Sequence, residues 1–180
     1  KVKTPHLDQL VEQGMNFTDA HTASSVCTPT RYGLLTGRYP WRSELKEGVV
    51  QGYSKAVISP DTDTVPKLLK RAGYNTAMTG KWHLGFQWTY KEGETQVVDF
   101  NVDSKKVERL VDYTKPFTGG PVDLGFDFFY GMVASPGMSP YTFLENDRVT
   151  VLPTDYQAWF GPRDDFPAGK KNDFERKATM

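Results

Sequence analysis

Ser25-Val26-Cys27-Thr28-Pro29-Thr30-Arg31-Tyr32-Gly33-Leu34-Leu35-Thr36-Gly37-Arg38 holds the single cysteine of a 180-residue chain, with a proline two places and an arginine four places beyond it. Residues 31–35 read as a turn of helix with apolar side chains on one side. Thr28 or Cys27 is its expected cap, and Pro29 falls in the first turn, where a missing N–H does no harm. Gly37 closes the helix. The spacing sets the Cys27 side chain at a helix N-terminus, where free backbone N–H groups and the helix dipole favour anions. Arg31 lies one turn further along the same face. Taken alone, the stretch has two readings. It is an anion site with a sulfur nucleophile, or a derivative of one, at its centre; or it is a structural cysteine beside a helix-capping proline, free cysteine being among the most buried residue types.

Upstream, Thr4-Pro5 opens and Gly14 ends a helix whose Leu7, Leu10 and Val11 recur three and four apart, an amphipathic pattern. Met15 to Ala20 alternates and reads as a strand leading into the Cys27 loop. Downstream, Asp63 to Gly73 is a second capped helix, followed by an expected strand over Tyr74–Thr79. Helix, glycine, strand and functional loop thus occur twice, as in an α/β sandwich whose site lies at the ends of strands.

Gly80-Lys81-Trp82-His83-Leu84-Gly85 follows. At the end of a strand, Lys81 and His83 share one face and Trp82 points the other way, into the core. A fixed positive charge beside an imidazole suits binding of an anionic ester with proton transfer; an exposed lysine next to a structural histidine fits the same three residues. Residues 86–118 are polar, with a short helix expected over Ser104–Tyr113 through Val107, Leu110 and Val111. Gly119-Gly120-Pro121 turns the chain into a strand-like aromatic run, Gly125 to Gly131. Thr142 to Thr150 reads as a hairpin turning near Glu145-Asn146-Asp147, and from Pro153 onward the chain is loop-like.

Composition bounds the partners. Lys plus Arg and Asp plus Glu are both 22, so nothing general attracts a nucleic acid or an anionic membrane, and anion binding must be local. Aromatic residues at 13%, with 16 glycines and 12 prolines, suit a loop-rich globular enzyme rather than a helical bundle. No apolar run approaches membrane-spanning length and no signal peptide is visible. The chain opens at Lys1-Val2-Lys3 and reads as an excerpt. One cysteine excludes an internal disulfide framework, and Asn16-Phe17-Thr18 fits a glycosylation sequon.

Cys27-x-Pro29-x-Arg31 followed by Leu34-Leu35-Thr36-Gly37-Arg38 resembles the signature of the formylglycine-dependent sulfatases, the arylsulfatase family. Gly80-Lys81-Trp82-His83-Leu84-Gly85 resembles that family's second signature, in the family's order. Ser135, after the Gly125-Phe126-Asp127 to Gly131 segment, stands where the family has a sulfate-binding serine; an ordinary loop serine fits as well. The resemblance implies an α/β, alkaline-phosphatase-like sandwich of a mixed sheet between helices. It makes residues 1–180 part of a sulfatase catalytic domain, without the first strand and the C-terminal portion, with 86–124 and 151–180 as loop-rich insertions.

The resemblance further implies a calcium ion, with magnesium as the alternative. Cys27, oxidised to formylglycine by a formylglycine-generating enzyme, is the implied nucleophile and a metal ligand. One hydroxyl of the hydrated aldehyde attacks sulfur and releases the alcohol; the other, deprotonated with help from His83, collapses to the aldehyde and expels sulfate. Arg31 holds the hydrate, while Lys81 and Ser135 bind sulfate oxygens. The substrate is a sulfated small molecule or glycan, and the compartment periplasmic or extracellular. The paired aspartates of the family's first strand, its later metal ligands and a downstream lysine and histidine have no counterparts here, and His6 and His21 do not match them, so the isolated chain is expected to be inactive. A phosphonate or phosphodiester hydrolase of the same superfamily, or a non-catalytic sulfated-glycan-binding relative, are the competing readings. Aromatic loops at Tyr39–Trp41, Trp88–Tyr90 and Tyr156–Phe160 are candidates for stacking sugars or for packing the core.

Overall fold

The structure, a computed structural model, describes residues 2–153. The aromatic loop expected over Tyr156–Phe160, and all but the first three residues of the expected 151–180 insertion, lie outside them.

The first helix, α1 (Pro5–Gln13), forms where the proline and the three-and-four spacing put it. None of its residues is buried, and Leu7, Leu10 and Val11 keep 62%, 66% and 50% of their surface exposed. The strand expected over Met15–Ala20 does not form: the segment is irregular, and Met15 and Phe17 are exposed. An alternating sequence supplies one face of a strand, but the ladder needs a neighbour, and among the described residues none runs beside it.

Helix α2 (Cys27–Thr36) begins at the cysteine itself. Its cap is Val26, in extended conformation with no side-chain capping bond, rather than Thr28 or Cys27. Thr28 turns inward instead and is completely buried. Gly37 ends the helix as expected, at φ 65° with its N–H on Gly33 O at 2.9 Å; the left-handed conformation is what glycine tolerates without a Cβ clash. Helix α3 (Val65–Arg71) follows Thr64, whose hydroxyl bonds Leu124 O at 2.6 Å.

Strand β1 (Ala77–Lys81) runs parallel to β2 (Phe128–Met132), and β3 (Phe143–Glu145) and β4 (Arg148–Val149) follow antiparallel, in the order β1-β2-β3-β4. The mixed sheet matches the expected class. The first strand starts later than its sequence pattern implied, because the Asp127 carboxylate takes the Thr76 N–H at 2.9 Å and the Thr76 hydroxyl at 3.1 Å. Pairing continues past the strand ends, with Trp82 N on Met132 O and His83 N on Val133 O, both at 2.9 Å. Asn146, at φ 55°, makes the hairpin turn between β3 and β4.

The core is aromatic at its centre: Trp82, Phe86 and Phe129 are essentially fully buried, and Phe117 meets Phe86 edge-on at 4.6 Å between ring centroids. Residues 86–124 feed this core through Phe86, Trp88, Val102, Val107, Val111, Phe117 and Leu124. Within them the expected helix over Ser104–Tyr113 stops after one turn, α4 (Ser104–Val107). Val111 instead bridges to Tyr90 in an antiparallel contact and is buried there.

Candidate active site

Cys27 occupies the first position of α2, partly buried and with a free thiol. One turn on, Arg31 donates a guanidinium N–H to the backbone carbonyl of Lys81. That bond ties the start of α2 to the end of β1. Lys81 is the last residue of β1, and its ammonium donates to Ser135 Oγ at 2.8 Å. Ser135 lies three residues past β2, behind the buried pair Val133 and Ala134. Because β1 and β2 are parallel, both chains leave the sheet at the same end, where an open α/β sheet places its ligands. Lys81 keeps two ammonium hydrogens after the bond to Ser135, and the serine hydroxyl, having accepted from lysine, keeps its own proton to donate.

His83 departs from its expected placement. Its φ of 58° takes it out of the extended conformation, so it does not share a strand face with Lys81. It is completely buried, whereas Lys81 is partly exposed. Trp82 does point into the core, its indole N–H on Gly85 O at 2.9 Å. The imidazole Nε2 lies 2.8 Å from Val50 O. A carbonyl only accepts, so Nε2 carries the proton and Nδ1 holds the lone pair. Nδ1 is buried and has no partner in the structure. Burial brings the His83 pKa down to about 4; the Val50 carbonyl opposes that shift and the Lys81 and Arg31 charges add to it. The ring is therefore neutral at neutral pH, able to accept a proton at Nδ1.

Two participants were not singled out from sequence. Thr28 Oγ1 donates to His83 O at 3.0 Å and receives the Val50 N–H at 3.3 Å. By sequence Thr28 reads only as a cap, and Val50 acts through its backbone, which residue type does not signal. The glycine of Lys81-Trp82-His83-Leu84-Gly85 has a definite role: Gly85 sits at φ 77°, and a Cβ there would lie 2.0 Å from Lys55 O.

Tyr39 and Trp41 are exposed and stacked, with centroids 4.2 Å apart and planes 9° from parallel. Trp41 also borders a cavity of about 340 Å³ beside Val26, Thr28 and Pro29. Trp88, by contrast, is a core residue, with its N–H on Gly52 O at 2.9 Å. His6 is exposed, as is His21, which meets Asp19 at 2.7 Å.

Calcium requires several hard oxygen ligands. Among the described residues no group of three or more His, Cys, Asp or Glu side chains is placed to hold a metal ion. Arg31, one turn along α2 from Cys27, and Lys81, whose backbone Arg31 holds, are cationic. The described residues thus do not fit a calcium site by themselves. Among them, no helix is long and apolar enough to cross a membrane.

A protein-family model described as Sulfatase matches residues 1–153. The chain is 37% identical over 178 residues to an N-acetylgalactosamine-6-O-sulfatase of Bacteroides thetaiotaomicron, covering 96% of this chain and 30% of that protein. It is 46% identical over 82 residues to human arylsulfatase A, covering 46% and 16%. A solved structure described under glycosaminoglycan metabolism by Bacteroides thetaiotaomicron superposes with a TM-score of 0.64 at 37% identity, over 84% of this chain and 28% of that one. The chain spans less than a third of the length of these relatives.

Proposed function

The chain belongs to the sulfatase family, and on that premise we propose that the protein containing it hydrolyses sulfate esters at the site formed by Cys27, Arg31, Lys81, His83 and Ser135. The family's alkaline-phosphatase-like architecture accounts for a mixed sheet with its loops gathered at one end. The observation that carries the proposal is the Lys81–Ser135 bond at 2.8 Å, beside the Arg31–Lys81 bond. It joins the last residue of β1 to a serine just beyond β2, and Arg31 of the helix that bears the cysteine holds the Lys81 backbone.

A sulfate monoester is an anion and repels an incoming nucleophile. Fixed cations and N–H dipoles offset that repulsion, most strongly where charge builds up in the transition state. Lys81 and Ser135 supply three hydrogens toward sulfate oxygens, and the first turn of α2 supplies backbone N–H groups. Arg31 supports the Cys27 position and adds positive charge. His83, neutral and protonated at Nε2, takes a proton at Nδ1. In its formylglycine form Cys27 supplies the oxygen nucleophile and an exit by C–O cleavage, without a second attack at sulfur. A calcium ion, or magnesium in its place, would neutralise further charge, with modified Cys27 among its oxygen ligands and the remainder from outside the described residues; none of these steps passes through it.

A carbohydrate sulfate suits the site best, since one relative is named for such a substrate and the exposed Tyr39–Trp41 stack offers an aromatic face of the kind sugars use. Maturation then needs a formylglycine-generating enzyme, and the protein works in the periplasm or outside the cell, with neither nucleic acid nor membrane as partner. Segments 86–124 and 151–180 belong to the catalytic domain in this reading.

The deciding experiment is the mass of the peptide spanning Cys27 from full-length protein made in its native host, with sulfate and phosphate ester assays run side by side. Thiol-to-aldehyde conversion with sulfate release is the expected result. An unmodified thiol in mature protein overturns the mechanism, and turnover of phosphate esters alone overturns the reaction class.

A further inference from the structure

Thr28 follows the residue proposed as nucleophile, yet its side chain points away from solvent and is completely buried. Its hydroxyl makes two bonds, one given to His83 O at 3.0 Å and one taken from Val50 N at 3.3 Å. The other polar group of Val50, its carbonyl, meets His83 Nε2 at 2.8 Å. The three residues therefore close a ring: hydroxyl to the histidine backbone, hydroxyl to the valine backbone, valine backbone to the histidine side chain. His83 N is held separately, on Val133 O at 2.9 Å. The backbone of His83 is in the left-handed region, uncommon for any residue but glycine, and persists where surrounding bonds over-determine it.

We infer that Thr28 is a positioning residue for His83: with the Val50 backbone it fixes the imidazole as the Nε2–H tautomer and leaves the Nδ1 lone pair free to take a proton. This rests on the proposed sulfate ester hydrolysis only for its catalytic consequence; the tautomer itself is a property of the resting protein. The arrangement also locks base to nucleophile, because Thr28 and Cys27 share the first turn of α2. Movement of that turn shifts His83 O, and with it the ring.

The test uses full-length protein with Thr28→Val, which keeps the shape and removes the hydroxyl, and Thr28→Ser, which keeps the hydroxyl. The readouts are the ¹⁵N shifts of the His83 ring, which distinguish the tautomers, and kcat and KM on a sulfate ester, with kcat expressed per modified Cys27. Wild type and Thr28→Ser are expected to show one Nε2–H tautomer and similar kcat. Thr28→Val is expected to show a mixture of tautomers and a kcat lower by about 10- to 100-fold, with KM within a few-fold, as fits a damaged proton transfer. If Thr28→Val does not fold, Thr28→Ala is measured in the same way. A single Nε2–H tautomer in the hydroxyl-less variant overturns the inference, as does equal loss of kcat in Thr28→Ser and Thr28→Val. Absence of turnover in wild type overturns the proposed activity instead, and the ring shifts then decide the inference by themselves.

Discussion

Lys81 Nζ lies 2.8 Å from Ser135 Oγ, across 54 positions of sequence, at the shared end of two parallel strands. In the proposed reaction, a cation and a hydroxyl so joined bind the sulfate as one unit. Lys81→Ala is expected to lower kcat/KM on a sulfate ester by about 10²- to 10³-fold, the loss typical of a removed transition-state donor. Ser135→Ala should lower it less. The double variant should fall short of the product of the two losses, because contacting residues are not independent. Steady-state kinetics on the four proteins measures the coupling.

Burial of His83 makes stability depend on pH. Its pKa stands near 4 in the folded protein against 6.5 for an ordinary histidine, so between those values the unfolded chain binds a proton that the native one refuses. Stability therefore falls as pH drops from about 6.5 to about 4 and levels off below. Denaturant titrations across that range are expected to show the fall in wild type and a shallower one in His83→Gln.

Asp127 works in the same sense, at lower pH. Its carboxylate takes bonds from Lys70 Nζ at 2.5 Å and from Thr76 N and Oγ1, and these hold its pKa at about 2 against 3.8. The stabilisation is present above pH 3.8 and is lost as pH falls toward about 2. Asp127→Asn removes this pH dependence and should lower stability at neutral pH. Melting curves of the two proteins at pH 7 and pH 3 check both points.

Gly37 and Gly85 both have positive φ, 65° and 77°, but different surroundings. A Cβ on Gly37 meets nothing within 4 Å, while one on Gly85 would sit 2.0 Å from Lys55 O. Gly37→Ala should cost about 1 kcal/mol, the strain of the left-handed conformation alone. Gly85→Ala adds a collision with backbone and should cost about 3 kcal/mol or more. Chemical denaturation of each variant separates strain from clash.

Much of the site was legible because its signals are local. Cys27, Pro29, Arg31 and Gly37 sit within a few turns of helix, and their types alone describe a helix that starts at the cysteine, carries an arginine one turn on and stops at a glycine. Lys81 and His83 were legible as a pair, but the geometry between them was not. Their expected shared face assumes extended backbone, and His83 abandons it to meet Val133 and Thr28. Long-range requirements explain the remaining misses. Met15–Ala20 carries the alternation of a strand without a neighbouring ladder among the described residues. Val107, Leu110 and Val111 carry helical spacing, yet Val111 is buried by bridging Tyr90, and the helix ends at Val107. Trp88 was one of several aromatic loop residues until Phe86, Phe117 and Tyr113 closed around it.

The partner that orients the His83 ring is a backbone carbonyl. Any residue at position 50 has that carbonyl, so the bond survives every spelling of the position that fills the same buried space. It does not survive a change in chain length between Gly37 and Val50, which would slide a different peptide under the imidazole. The histidine is thus guarded against substitution at its partner and vulnerable to insertion or deletion. A mutational scan of residues 38–50 that varied length as well as identity would find its losses in the length changes.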